Sequence, residues 1–378
     1  MLLSLLIAAC LASPRSMQGA GPATAPDQPL PEFEAFARRA EAAIRSRDAS
    51  FMDGAVDGEA LLARALAGLE LSGDARRDFS NGFLPTLKLG TLIEKRLGER
   101  GCSRLLRVEQ HAGATHALFR HVFADMLDYY EYELARSPSG AVRIVDVTMF
   151  SAGERLSESV YLGALAMLRN EDDGLLDTLE GRDIDHYVIL SEEIRRERWS
   201  EAMAEFAQLP ADIAQLKSTR ILKVCVASQL GEAHWLAAVD EVRRHHPSDP
   251  ALDLLGIEAG WVRGDLESVL ACIERLDRRV AGDPYLNLLR GDVHFEQGSL
   301  ERAKSLYRQA SREEPGLEDA CWRLVSVALA QEQHAEVAGL LSRLESEFDA
   351  EIADLSGMEG YESFAQSPEY RAWLQRRE

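Results

Sequence analysis

Apolar positions along the chain change their period twice. Over residues 32–46, Phe33, Phe36, Ala40 and Ile44 recur at the spacing that puts them on one side of a helix. Two further helices are predicted, one over residues 58–71 and one from Ser72 to about Gly98, interrupted at Gly82, Pro85 and Gly90. From Ser103 the period drops to two, predicting strands over residues 105–110, 115–123, 127–135 and 142–150. The turn signals between them are Gly113, Ala124-Asp125 and Ser137-Pro138-Ser139-Gly140. Each is short enough to make successive strands antiparallel neighbours. A meander packed on the preceding helices buries the apolar side of both. After about residue 158 the period is helical again.

The C-terminal half repeats itself. Asp249-Pro250 recurs as Asp283-Pro284, and Gly264 with Leu266 recurs as Gly298 with Leu300, both after thirty-four residues. The unit starting at Pro284 carries Gly291, where one helix must approach the next. Ala303, Tyr307 and Ala310 follow along the second helix, and Pro315 closes the unit. These residues at this interval resemble the tetratricopeptide repeat, which implies antiparallel helix pairs stacked in series. Degenerate units keep the period at residues 216–249 with Ala227 and Trp235, at 250–283, and at 318–349 with Trp322 and Leu341. Upstream, Trp199, Ala202 and Phe206 mark a further pair. Because a pair covers its apolar side only against its neighbours, several in series are expected. The tail, with Phe364, Tyr370 and Trp373, is expected to cap the open end.

The N-terminal part carries two other resemblances. Helices followed by a curved antiparallel sheet, with Tyr129-Tyr130-Glu131-Tyr132-Glu133 on one strand and Val142-Arg143-Ile144-Val145-Asp146 on the next, resemble the cone-shaped NTF2-like fold over about residues 31–157. The short apolar run from Leu2 to Ala9 ends in Ile7-Ala8-Ala9-Cys10, similar to the lipobox of bacterial lipoprotein signal peptides. That resemblance implies acylation of Cys10 and a lipid-anchored protein of the cell envelope facing the periplasm; the alternative is a cytoplasmic protein. The expected fold class is an α+β N-terminal domain followed by an all-α helical solenoid. The expected division is a signal peptide (1–10), a flexible linker (11–31) rich in Ala, Pro, Gly and Ser, an NTF2-like domain (32–157), a connecting helix (158–183), helical repeats (184–349) and a capping segment (350–378).

Composition narrows the function classes. A chain of 378 residues, 46% apolar and 28% charged, can bury two ordinary cores, and no stretch reaches the length of a membrane-spanning helix. A net charge of -21 argues against nucleic acid as a partner, since phosphate affinity needs clustered Lys and Arg. Cys102, Cys225, Cys272 and Cys321 have no metal-ligand spacing. The last three lie among apolar residues of predicted helices, where a thiol packs as a small hydrophobe.

The tetratricopeptide resemblance implies that the first helix of each unit lines a groove. Its lining residues would be Leu254, Glu258, Trp261, Tyr285, Leu288, Asp292, Phe295 and Trp322. Such an acidic and aromatic surface suits a protein or peptide partner with apolar anchors and some basic residues. The Lys and Asn residues with which chaperone-binding relatives clamp a carboxylate are missing here. In the sheet, the candidates for proton chemistry are His111, His116, His121, Tyr130, Glu131, Tyr132 and Asp146. Alternation puts His116 and His121 on opposite faces, and no single element shows a metal-ligand spacing. The same alternation places Asp146 with Val142, Ile144, Thr148 and Phe150, where a carboxylate needs a hydrogen bond. The expected donor is Tyr130 or Tyr132, the three together forming a possible pocket. No glycine-rich phosphate loop, Gly-x-Ser-x-Gly elbow, His-Glu-x-x-His or Cys-x-x-Cys is present. The leading expectation is a non-enzymatic scaffold without cofactor or metal. A ligand-binding or enzymatic NTF2-like domain is the alternative, and a structural envelope component whose groove is plugged by the tail is a third.

Overall fold

The computed structural model describes residues 31–67, 71–123, 126–160, 185–247, 249 and 251–377. The Cys10 motif, most of the linker and most of the connecting helix lie outside the described residues. The chain divides between Leu255 and Gly256 into two compact units.

The first unit opens with helices. Helix α1 (Pro31–Arg45) buries Phe33, Phe36, Ala40 and Ile44 on one side, as their spacing requires. Helix α2 (Ala49–Ala55) was not foreseen. Only seven residues long, it buries only Met52 and Ala55, too little periodicity to read. Helix α3 (Gly58–Ala65) starts at Asp57, whose side chain accepts the Ala60 N–H. The segment after Ser72 breaks at Pro85 into α4 (Gly73–Phe83), a 3-10 turn (Leu84–Thr86) and α5 (Leu89–Leu97). Asp53 of α2 joins α5 by accepting the Gly90 and Thr91 N–H groups at 2.7 and 3.1 Å. Gly90 allows that approach, because a Cβ there would strike the Ala49 carbonyl.

Five antiparallel strands follow in sequential order: β1 (Cys102–His111), β2 (Ala114–Val122), β3 (Leu127–Arg136), β4 (Val142–Met149) and β5 (Glu154–Arg155). The β1–β2 turn is Ala112-Gly113, both with positive φ, the backbone that matches strand twist in a two-residue hairpin. Phe119, Phe123, Tyr130, Tyr132, Leu134, Ile144, Val147 and Met149 share one core with the apolar sides of the helices. The opposite face carries Glu109, His111, His116, Glu131 and Glu133.

One irregularity corrects the sequence reading. Leu134 pairs with Ile144, but the adjacent Glu133 pairs with Asp146, so Val145 is an extra residue in β4. Strict alternation had placed Asp146 beside Ile144. The bulge instead sends Asp146 to the far face with Glu133 and leaves Ile144 in the core.

The remainder is helical. In the first unit α6 (Asp185–Arg195), α7 (Trp199–Glu205), α8 (Ala211–Ala214), α9 (Lys217–Ser228) and α10 (Glu232–His245) precede α11 (Ala251–Arg263), within which the division between units falls. The second unit continues with α12 (Leu266–Val280), α13 (Pro284–Glu296), α14 (Leu300–Glu313), α15 (Glu318–Ala330), α16 (His334–Phe348), α17 (Glu362–Ala365) and α18 (Pro368–Gln375). Asp283 caps α13 through the Tyr285 N–H with Pro284 at the first helical position, and Ser367 with Pro368 starts α18 alike. Gly264 and Gly298 turn the chain with φ of 67° and 72°. Ala303, Tyr307 and Ala310 are sealed in the second unit. Lys304 is only 5% exposed, its ammonium held by Gln333 at 2.6 Å and Glu336 at 2.5 Å, which ties α14 to the start of α16. Phe364, Tyr370 and Trp373 pack on Val325, Val337, Leu341 and Leu344, covering α15 and α16.

The contact between Gly291 and Tyr307 sets the spacing of α13 and α14. A Cβ at Gly291 would overlap the Tyr307 ring. Gly291→Ala improves helix propensity by under about 1 kcal/mol yet overpacks the core by about 1–3 kcal/mol. The expected result is a net destabilisation, read as a lower midpoint of chemical unfolding.

Candidate functional site

The helix-facing side of the sheet is a closed aromatic box around His121. Its Nδ1 lies 2.6 Å from the Ser103 hydroxyl and its Nε2 3.1 Å from the Tyr132 hydroxyl. Phe119 and Phe123 stack near the ring, and the Tyr130 ring stands edge-on at 4.6 Å. Arg96 of α5 donates to the Tyr130 hydroxyl at 2.5 Å and lies over Phe123 at 4.0 Å. Burial, then the nearby Arg96 and Arg120 charges, pull the His121 pKa to about 3. Burial likewise pushes the Tyr132 hydroxyl well above its ordinary range. At neutral pH this set holds its protons fixed, which suits packing and not proton transfer.

Asp146 stands apart from the two tyrosines, against expectation. Its carboxylate accepts the Ser157 hydroxyl at 2.6 Å, the Ser157 N–H at 3.1 Å and the Val147 N–H at 2.9 Å. Arg64 lies 3.7 Å away while binding Glu133 through two bonds of 2.8 and 2.6 Å. Burial raises the Asp146 pKa, and the Ser157 bonds oppose the rise. Tyrosine hydroxyls are not its donors, so Tyr130, Tyr132 and Asp146 do not form one pocket. Asp128 repeats the device, accepting the Ser151 hydroxyl at 2.5 Å and its N–H at 2.9 Å. No sequence motif signalled either carboxylate–serine clasp, since their partners are brought in by the chain after β4 and β5.

A cavity of about 150 Å³ in the first unit is lined mainly by apolar side chains, among them Leu92, Met126, Met149, Val224 and Cys225, with Arg96 at its wall. None of the three expected pocket residues lines it. Burial raises the Cys225 pKa to about 11, so its thiol stays protonated and packs as an apolar group.

On the far face the sheet assembles a cluster that spacing along one element could not show. His111 of β1, His116 of β2 and Glu131 of β3 bring their ligand atoms within 4.8 Å of one another. The signal that finds them is strand pairing across three neighbours.

The helical candidates fall into two groups. Leu254, Tyr285 and Leu288 are buried and form packing; Glu258, Trp261, Asp292, Phe295 and Trp322 remain partly exposed. Of the two acids expected to line the groove, Asp292 is engaged within the fold. Asp292 accepts the Tyr307 hydroxyl at 2.8 Å and the Arg323 guanidinium at 2.7 Å. Asp319 lies 3.4 Å from the Tyr285 hydroxyl, and the Trp322 indole donates to Glu318 at 2.8 Å. Arg323 thus supplies a cation within the chain to Asp292, with Asp319 at 3.8 Å.

Comparison with protein-family models and with curated proteins finds no match.

The His121 box has a pH signature. Its folded pKa of about 3 lies below the ordinary 6.5, so the unfolded chain binds the extra proton as pH falls. The contribution of His121 is therefore complete above pH 6.5 and lost progressively toward pH 3, at up to about 1.4 kcal/mol per unit. Unfolding titrations at several pH values should show that slope in the wild type and a shallower one in His121→Gln.

Proposed function

We propose that this chain is a non-enzymatic interaction protein. In this reading the second-unit helices are tetratricopeptide-type pairs presenting aromatic anchors to a protein or peptide partner, and the sheet with its helices is an NTF2-like support. The supporting observation is the pair Trp261 and Phe295. They stand thirty-four residues apart, near the ends of α11 and α13, and stay partly exposed while Leu288 and Val293 of α13 are sealed. Large aromatics held open on ordered helices supply binding area at small entropic loss. With Asp292 engaged by Arg323, the partner is selected by apolar contacts more than by basic charge.

The alternative, an enzymatic or ligand-binding sheet domain, draws less support. His121 is locked in neutral form, and Asp146 lies on the opposite face from Tyr130 and Tyr132. Anchoring through acylated Cys10 belongs to the same proposal and rests on the Ile7-Ala8-Ala9-Cys10 motif. Among the described residues no helix is long and apolar enough to cross a membrane.

Two experiments test these claims. Affinity capture from the native host should recover a defined partner with the wild type and lose it with the Trp261→Ala/Phe295→Ala double variant, whose circular dichroism stays unchanged. An identical set of captured proteins would remove the reading. Mass spectrometry of the native protein should find a diacylglyceryl group on Cys10 at the mature N-terminus; an unmodified Met1 would refute the anchor.

A further inference from the structure

Every acid on the far face of the sheet near His116 has a cationic partner except one. Glu133, directly across from His116, binds Arg64 through both oxygens and has Arg155 at 3.4 Å. Glu109, across on the other side, pairs with Arg107 at 2.9 Å. Glu131 meets no Lys or Arg among the described residues. Its two oxygens face two imidazoles instead: Oε1 lies 3.3 Å from His111 Nε2, and Oε2 lies 3.7 Å from His116 Nδ1. The two rings stack with centroids 3.7 Å apart and planes 14° from parallel. Two nitrogen donors and one carboxylate therefore converge where no protein cation balances the acid.

The spacing has a simple interpretation. A four-coordinate ion with bonds of about 2.0–2.1 Å holds its donor atoms about 3.3 Å apart. One Glu131 oxygen already stands 3.3 Å from His111 Nε2 and the other 3.7 Å from His116 Nδ1, and a set of one ligand atom per residue fits within 4.8 Å. The three residues come from three adjacent hydrogen-bonded strands, a base that holds backbone positions without any ion present. His116 is 5% exposed and fixed by its neighbours, whereas His111 sits at the strand end beside the Ala112-Gly113 turn and is exposed. Coordination needs the His111 ring to tip out of the stack so that its nitrogen points at the ion, and an exposed side chain beside a turn has that freedom.

We propose that His111, His116 and Glu131 form a binding site for a divalent transition metal of the zinc type. Two imidazoles with one carboxylate favour Zn²⁺ and its Co²⁺ substitute over Mg²⁺ or Ca²⁺, which prefer all-oxygen ligation. Three protein ligands leave a fourth position on the solvent side, where His111 is open, for water or an acidic side chain of a partner. The site lies in the first unit and is independent of Trp261 and Phe295.

The full chain, expressed without an affinity tag and stripped with chelator, is titrated with Zn²⁺ by calorimetry and with Co²⁺ by visible absorption. One equivalent is expected to bind at micromolar or lower concentration, with Co²⁺ giving the bands of a nitrogen- and oxygen-ligated ion of low coordination number. His111→Ala and Glu131→Gln each should weaken binding at least about tenfold. Both substitutions lie at solvent-reachable positions, and circular dichroism checks that the fold persists; retained metal uptake would show that other groups bind it. No uptake at micromolar metal, unchanged affinity in both variants, or sulfur-to-cobalt charge-transfer bands from a cysteine would each overturn the assignment.

Discussion

The pairing of β3 with β4 slips by one residue at Val145, and the chemistry of the sheet depends on that slip. A strand sends alternate side chains to opposite faces, so one extra residue reverses the assignment of everything beyond it. Here it keeps Ile144, Val147 and Met149 in the aromatic core while turning Asp146 to the polar face. There the carboxylate finds Ser157 and the Arg64 that also binds Glu133. Without the bulge, Asp146 would enter the closed aromatic box around His121, next to a Tyr132 hydroxyl that His121 already engages.

A comparable constraint governs the helices of the second unit. Helices α13 and α14 meet closely only because Gly291 leaves room for Tyr307, and the hydroxyl of that same tyrosine reaches Asp292. Burial, reinforced by the Asp292 carboxylate, holds the Tyr307 hydroxyl protonated far above neutral pH. Arg323 from α15 completes the set, and Lys304 pins α14 to the start of α16. Each polar side chain here is both a packing element and a link between helices. That double use explains why Asp292, expected to face a partner, is engaged within the fold.

Perturbed titration can mark function or structure. In this chain His121, enclosed by aromatic rings with both nitrogens occupied, has its pKa pulled far down, and that shift accompanies closure of the core. The far-face cluster is different in kind. Among the described residues its carboxylate pairs with no Lys or Arg, and of its two histidines His111 reaches the surface. Ligand chemistry belongs there more naturally than in the box.

The amino-acid sequence by itself determined the kind and order of most elements, though not the short α2 and β5. Period-three-to-four spacing at Phe33, Phe36, Ala40 and Ile44 and strict alternation from Ser103 depend only on local backbone geometry, which neighbouring residues dictate. The same local rule separated His116 from His121. What tertiary structure alone decided was which distant groups meet. The Val145 bulge is set by fitting β4 to β3, the Ser157 clasp on Asp146 by the chain folding back after β5, and the His111–His116–Glu131 cluster by three strands lying side by side. Local periodicity carries no information on such contacts, because each is fixed by packing and hydrogen-bond satisfaction between segments remote along the chain.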